Sequence, residues 1–147
     1  MNGADLLTRW PRGFGDHEAV EFSGVSLRRW DYWDRTGVLS PSIASASGSG
    51  SRRRWSFCDL VAASIILATN QPDRFRTAGL SLALHLDVEV YDSWHLYLLL
   101  GDPLEIVHPE TLVEVIERRQ MLTSFISIGY IASTILAKVE AHASADV

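Results

Sequence analysis

A single cysteine, Cys58, stands in 147 residues. It can form no internal disulfide and no multi-cysteine zinc site, which removes disulfide-stapled scaffolds and zinc ribbons from consideration. The histidines, His17, His85, His95, His108 and His142, are scattered, and no two have ligand spacing on one helix, so no metal is expected. No Walker loop, glycine-rich dinucleotide turn or GxSxG motif occurs. The tract Gly48-Ser49-Gly50-Ser51 lacks the lysine and the flanking strand and helix of a phosphate loop. No catalytic residue and no cofactor are therefore expected. Asp5, Arg9, Pro11 and Arg12 occupy the place where the apolar region of a secretory signal would sit, which predicts a cytoplasmic protein. The most apolar run, residues 121–137, has 17 residues and lies at the bottom of the spanning range, so a buried helix rather than a membrane span is expected.

The composition is that of an ordinary globular chain, with 47% hydrophobic and 21% charged residues. The charge is unevenly placed. Residues 1–80 carry ten Arg against eight Asp or Glu, and residues 81–147 carry three Lys or Arg against ten Asp or Glu. Within residues 23–56 six Arg face two Asp. A basic front that can meet phosphate and an acidic back that should meet protein or solvent imply two jobs in one chain.

Punctuation along the front half predicts two short helices. One starts at Asp16 or His17, turns Ala19, Val20 and Phe22 inward, and stops at Gly24. The second runs from Leu27 to Thr36, with Ser26 as N-cap and Gly37 as terminator. Two short helices joined by Ser23-Gly24-Val25-Ser26 make a helix-turn-helix pattern. The bland stretch 44–51 lies between two segments able to pair as strands, which predicts a loose-tipped hairpin, or wing. Ser56-Phe57-Cys58-Asp59 opens an apolar core helix to about Thr69, and a further helix is expected over 74–86. The back half alternates like strands near Leu96, Leu98 and Leu100, turns at Gly101-Asp102-Pro103 and returns over 104–107. His108-Pro109-Glu110-Thr111 then opens a helix to about Arg119, with a second helix or a continuation to about His142.

On the second helix Arg28, Tyr32 and Arg35 share one face, with Trp30 and Trp33 on the inward flank. Arginine can pair with guanine O6 and N7 or grip phosphate, and a tyrosine hydroxyl can bond phosphate. Ser26 and Arg29 complete this expected DNA-binding surface. Asp31 could accept from cytosine N4 or orient Arg28 or Arg35, and the structural role is preferred. Arg52, Arg53, Arg54 and Trp55 form a second cluster. Strand alternation would put Arg52 and Arg54 on one face and Arg53 and Trp55 on the other. Cys58 reads as a packing residue. Tyr91, Trp94, Tyr97 and Tyr130 could line an effector pocket, but core packing is the preferred reading.

Two blocks, Gly24-Val25-Ser26-Leu27-Arg28-Arg29-Trp30-Asp31-Tyr32-Trp33-Asp34-Arg35-Thr36-Gly37-Val38-Leu39-Ser40-Pro41 and Arg53-Arg54-Trp55-Ser56-Phe57-Cys58-Asp59-Leu60, resemble the N-terminal domain of MerR-family transcriptional regulators over residues 23–68. The resemblance implies a winged helix-turn-helix that binds double-stranded DNA. In it Arg53 or Arg54 would hold the backbone from the wing, and Trp55 would take an aromatic position at the strand's end. The expected fold class is mainly α with a small β component, a winged helix-turn-helix domain followed by a small α/β or helical dimerisation region. The expected organisation is an irregular arm over 1–15, the DNA-binding domain over 16–86, and an acidic dimerisation or effector region over 87–147 with a β-hairpin and a long apolar helix. A homodimer would read a pseudo-palindromic site, with RNA polymerase as a candidate partner and no membrane. Two alternatives stand beside it: an excisionase-like architectural DNA-binding factor, and a protein-interaction module such as an antirepressor or sigma-factor partner.

Overall fold

A computed structural model describes residues 9–46, 52–76, 95–101, 104–119 and 124–145. The fold is mainly α with a small antiparallel sheet. Helix α1 spans Asp16–Ser23 and α2 Leu27–Thr36. Gly24 ends α1 in the left-handed region at φ 75°, its N–H bonded to Val20 O at 3.1 Å. Ser26 Oγ caps α2 by accepting from Arg29 N at 3.3 Å. The turn between them is tied down by Ser23, whose Oγ accepts from Val25 N and whose carbonyl accepts from Ser64 Oγ.

Helix α3, Phe57–Thr69, is the centre of the core, and nine of its residues are buried. It opens with a reciprocal cap: Ser56 Oγ accepts from Asp59 N at 3.0 Å, and Asp59 Oδ2 accepts from Ser56 N at 2.8 Å. A 3-10 helix, Pro72–Phe75, follows the left-handed Asn70. Residues 74 and 75, where a helix is expected to start, are in this 3-10 turn, because Pro72 lacks the N–H that would continue α3; residues 77–86 lie outside those described.

The described part of the arm, residues 9–15, is tied to the wing rather than irregular. Phe14 exchanges two backbone bonds with Trp55, at 2.7 and 2.8 Å, and Ala44 does the same with Arg54 at 3.2 and 2.8 Å. The wing strand therefore runs between the arm and the segment that follows α2. Phe14 is buried, and Trp10 stacks on Phe57 with ring centres 5.3 Å apart.

Strands β1 (Tyr97–Leu99), β2 (Glu105–Val107) and β3 (Phe125–Ser127) form a sheet in the order β2-β1-β3. Leu98 stands opposite Ile106 and Ile126, and all three face the main core. Leu99 and Val107 face the other way, against Val115 of helix α4, Leu112–Arg119. Glu105 receives Arg119 at 2.7 Å, and that hydrogen bond, aided by nearby Arg118, holds its carboxyl below the usual range despite some burial. Helix α5, Ile128–Ala145, presses Ile128, Ala132, Ile135 and Val139 onto α1 and α3.

The apolar run 121–137 does not form the one long helix expected of it. Residues 125–127 are a strand, and α5 begins only at Ile128. Its buried residues recur at one-face spacing, while Tyr130, Ser133, Thr134 and Lys138 are exposed. The chain's own front half covers the apolar face. One cluster of buried side chains accordingly draws on both sides of residue 86, from Phe14, Trp30 and Leu60 to Leu98 and Ile135. No helix among the described residues is long and apolar enough to cross a membrane.

Candidate nucleic-acid interface

Helix α2 has two unlike faces. Trp30 and Trp33 are buried, and Trp30 lies against Trp55 with ring centres 4.3 Å apart. Arg28, Arg29, Tyr32 and Arg35 are exposed, and the Arg35 guanidinium lies 5.8 Å from the centre of the Tyr32 ring. Ser26 is exposed at the start of the helix, but its hydroxyl is engaged as the cap. The outer face thus offers cationic donors and one phenol on a helix held by two indoles.

The wing arginines diverge. Arg52 is exposed. Arg54 turns back onto the arm, donating from Nε to Arg12 O at 2.9 Å and from Nη2 to Gly13 O at 3.0 Å. Arg53 is surrounded by Asp16 of α1 and by Asp31 and Asp34 of α2. Burial works against its charge, but the hydrogen bonds it donates to Asp16, Asp31 and Asp34 outweigh this and hold it firmly protonated. Burial would raise the Asp16 carboxyl; the bonds from Arg53 and Trp55 and the Arg53 charge instead bring it below its ordinary range. Alternation does put Arg53 and Trp55 on one side, and that side faces inward.

Two residues expected at the DNA surface, Arg53 and Trp55, face inward. Trp55 has no exposed surface; its ring sits under Trp30, and its Nε1 donates to Asp16 Oδ1 at 2.8 Å. An aromatic of that size is drawn into the core by its own area. Arg53 is already satisfied by carboxylates. Asp31 does serve a structural role, but its partner is Arg53 rather than Arg28 or Arg35. The contacts of Asp16, Asp34 and Gly13 were not legible in the sequence, because each acts on a partner far along the chain.

Between the start of α1, Leu27 and the wing lies a groove of about 790 Å³, with Asp16, Glu18, Arg52, Arg53 and Arg54 on its walls. It mixes both signs of charge. Among the described residues no group of His, Cys, Asp and Glu could hold a metal ion. Burial, reinforced by the charge of Asp59, pushes the Cys58 thiol far up, so it offers no thiolate at neutral pH. His85, Tyr91 and Trp94 lie outside the described residues; Tyr97 is half-buried, and Tyr130 is exposed rather than packed in the core.

No family model matches the chain. Over 54 residues, 37% of its length, it is 43% identical to HTH-type transcriptional regulators of Mycobacterium bovis and of two strains of Mycobacterium tuberculosis. The matched stretch is 24% of each relative, so the chain spans about a quarter of the length of the curated relatives it matches. Over that stretch the chain is similar to HTH-type transcriptional regulators, in keeping with the helix-turn-helix that α1 and α2 form.

Proposed function

We propose that this protein is a DNA-binding transcriptional regulator of MerR-like type, working in the cytoplasm without a catalytic step or a metal. The observation that carries the reading is α2: its inward face is locked by Trp30 and Trp33, and its outward face presents Arg28, Arg29, Tyr32 and Arg35. Such a helix suits the major groove, with arginines aimed at guanine edges and phosphates. Arg52 at the wing and the hydroxyl of Tyr32 suit the backbone. The similarity to HTH-type regulators supports the same reading.

The test is selection of bound duplexes from a random pool at several salt concentrations. A specific site should emerge, and its affinity should fall steeply with salt. Arg28→Ala should then weaken the selected site by about 1–3 kcal/mol and relax preference at one position. Unchanged affinity and unchanged preference in a gel-shift series would remove Arg28 from the reading helix.

A homodimer formed through the back half would present two α2 helices to a pseudo-palindromic site, with RNA polymerase as a further partner. Val113, Phe125 and Tyr130 are exposed apolar side chains there, and this segment carries the acidic excess that disfavours DNA. Light scattering on the full chain at micromolar concentration should give twice the monomer mass of 16.4 kDa. A monomer bound to a site without symmetry would remove the dimer from the proposal.

A further inference from the structure

Arg53 stands between two arginines that resemble it in sequence, yet its surroundings differ from theirs. Its side chain is only 11% exposed. It donates to Asp16 from Nη2 at 2.9 Å and from Nε at 3.2 Å, a two-pronged contact. Nη1 reaches Asp34 Oδ2 at 3.2 Å, and Nη2 also bonds Asp31. Its guanidinium carbon lies 5.3 Å from the centre of the Trp55 ring. Three carboxylates around one cation leave an excess of negative charge, which repels a phosphate rather than attracting it.

We infer that Arg53 is a positioning residue: it fixes the wing strand against the start of α1 and the middle of α2, and it engages the Asp31 and Asp34 carboxylates so that neither is free to meet DNA. The inference rests on the DNA-binding reading. It divides the arginines by task. Arg52 meets backbone phosphate from the wing, and the charged groups that α2 leaves for DNA are the guanidiniums of Arg28, Arg29 and Arg35, so its base contacts favour guanine O6 and N7 and none reaches cytosine N4 from Asp31, whose carboxylate is engaged by Arg53. The clamp also joins the wing and the reading helix into one body. Backbone contact at the wing and base contact at α2 are then made in a single register.

Arg53→Lys separates this role from phosphate contact. An ammonium can still hold phosphate as a point charge, but it lacks the planar fork needed to join carboxylates on two helices. The full chain is measured against a selected duplex and a scrambled one, with thermal melting to verify folding. R53K should lower the preference for the selected duplex by about tenfold, leave scrambled binding within about twofold, and shift the Trp55 indole N–H resonance. Preserved preference with an unmoved resonance overturns the inference. If R53K does not fold, Asp31→Asn decides, since Asp31 is half-exposed and its loss leaves Asp16 and Asp34 on Arg53. The selected sequence should then be unchanged; loss of a cytosine preference at one position overturns the inference. A wild-type chain that binds no duplex overturns the DNA-binding reading instead, and the indole resonance of R53K alone then decides whether the clamp exists.

Discussion

Gly13→Ala should destabilise the protein by about 3 kcal/mol or more, combining left-handed strain with forced overlap. Gly13 has φ +61°, a region costly to any residue with a Cβ. A Cβ there would stand 2.2 Å from Trp55 O and 2.4 Å from Ile43 Cδ1. The isoleucine tip can swing aside, but the carbonyl cannot, because it accepts the Phe14 N–H at 2.7 Å. Relief requires the arm to leave the wing strand, which uncovers Phe14 and Trp10 and breaks the Arg54 bond to Gly13 O. Gly24→Ala is the matched comparison. Its φ of +75° is as unfavourable, but an added Cβ meets nothing within 4 Å, so only about 1 kcal/mol should be lost. Urea unfolding of both variants measures the difference; equal losses would mean that the close approach to Trp55 O carries no weight.

Asp59→Ala should cost about 2–4 kcal/mol. Asp59 is fully buried at the start of α3 and accepts from Ser56 N at 2.8 Å and from Ser42 N at 2.9 Å, with the Ser42 hydroxyl on its other oxygen. Alanine removes the carboxylate half of the reciprocal cap, leaving Ser56 Oγ on the residue-59 N–H, and takes from two backbone N–H groups the acceptor they share. The bond to Ser42 also ties the segment after α2 to the core, so binding of the selected duplex should fall along with stability. Asp59→Asn keeps one acceptor oxygen and should lie between. A loss below about 1 kcal/mol for the alanine variant would show that the carboxylate is dispensable to the scaffold.

The helix-turn-helix was legible because every signal that defines it is local. Gly24, Ser26 and Gly37 act on residues within four positions, through backbone groups that any helix end must satisfy. The inward placement of Trp30 and Trp33 follows from helical period alone. The pairing of 97–99 with 105–107 was visible for a related reason: short alternation on both sides of a Gly-Asp-Pro turn leaves few other arrangements. β3 was not visible. The apolar residues 125–127 carry no period that separates a strand from a buried helix, and their pairing partner lies about thirty residues upstream.

Residue type and spacing thus settled by themselves where the chain turns, which face of α2 is wet and that its front carries the cations. Only the tertiary structure decided which cations remain available. Arg52, Arg53 and Arg54 are consecutive and chemically identical, yet one is exposed, one is held by carboxylates 19, 22 and 37 residues away, and one is spent on arm carbonyls. Whether an arginine faces phosphate depends on the charges folded around it, and those arrive from distant parts of the chain. The same holds for the apolar helix of the back half, whose covering came from α1 and α3, because burial is a property of what packs against a face and not of the face itself.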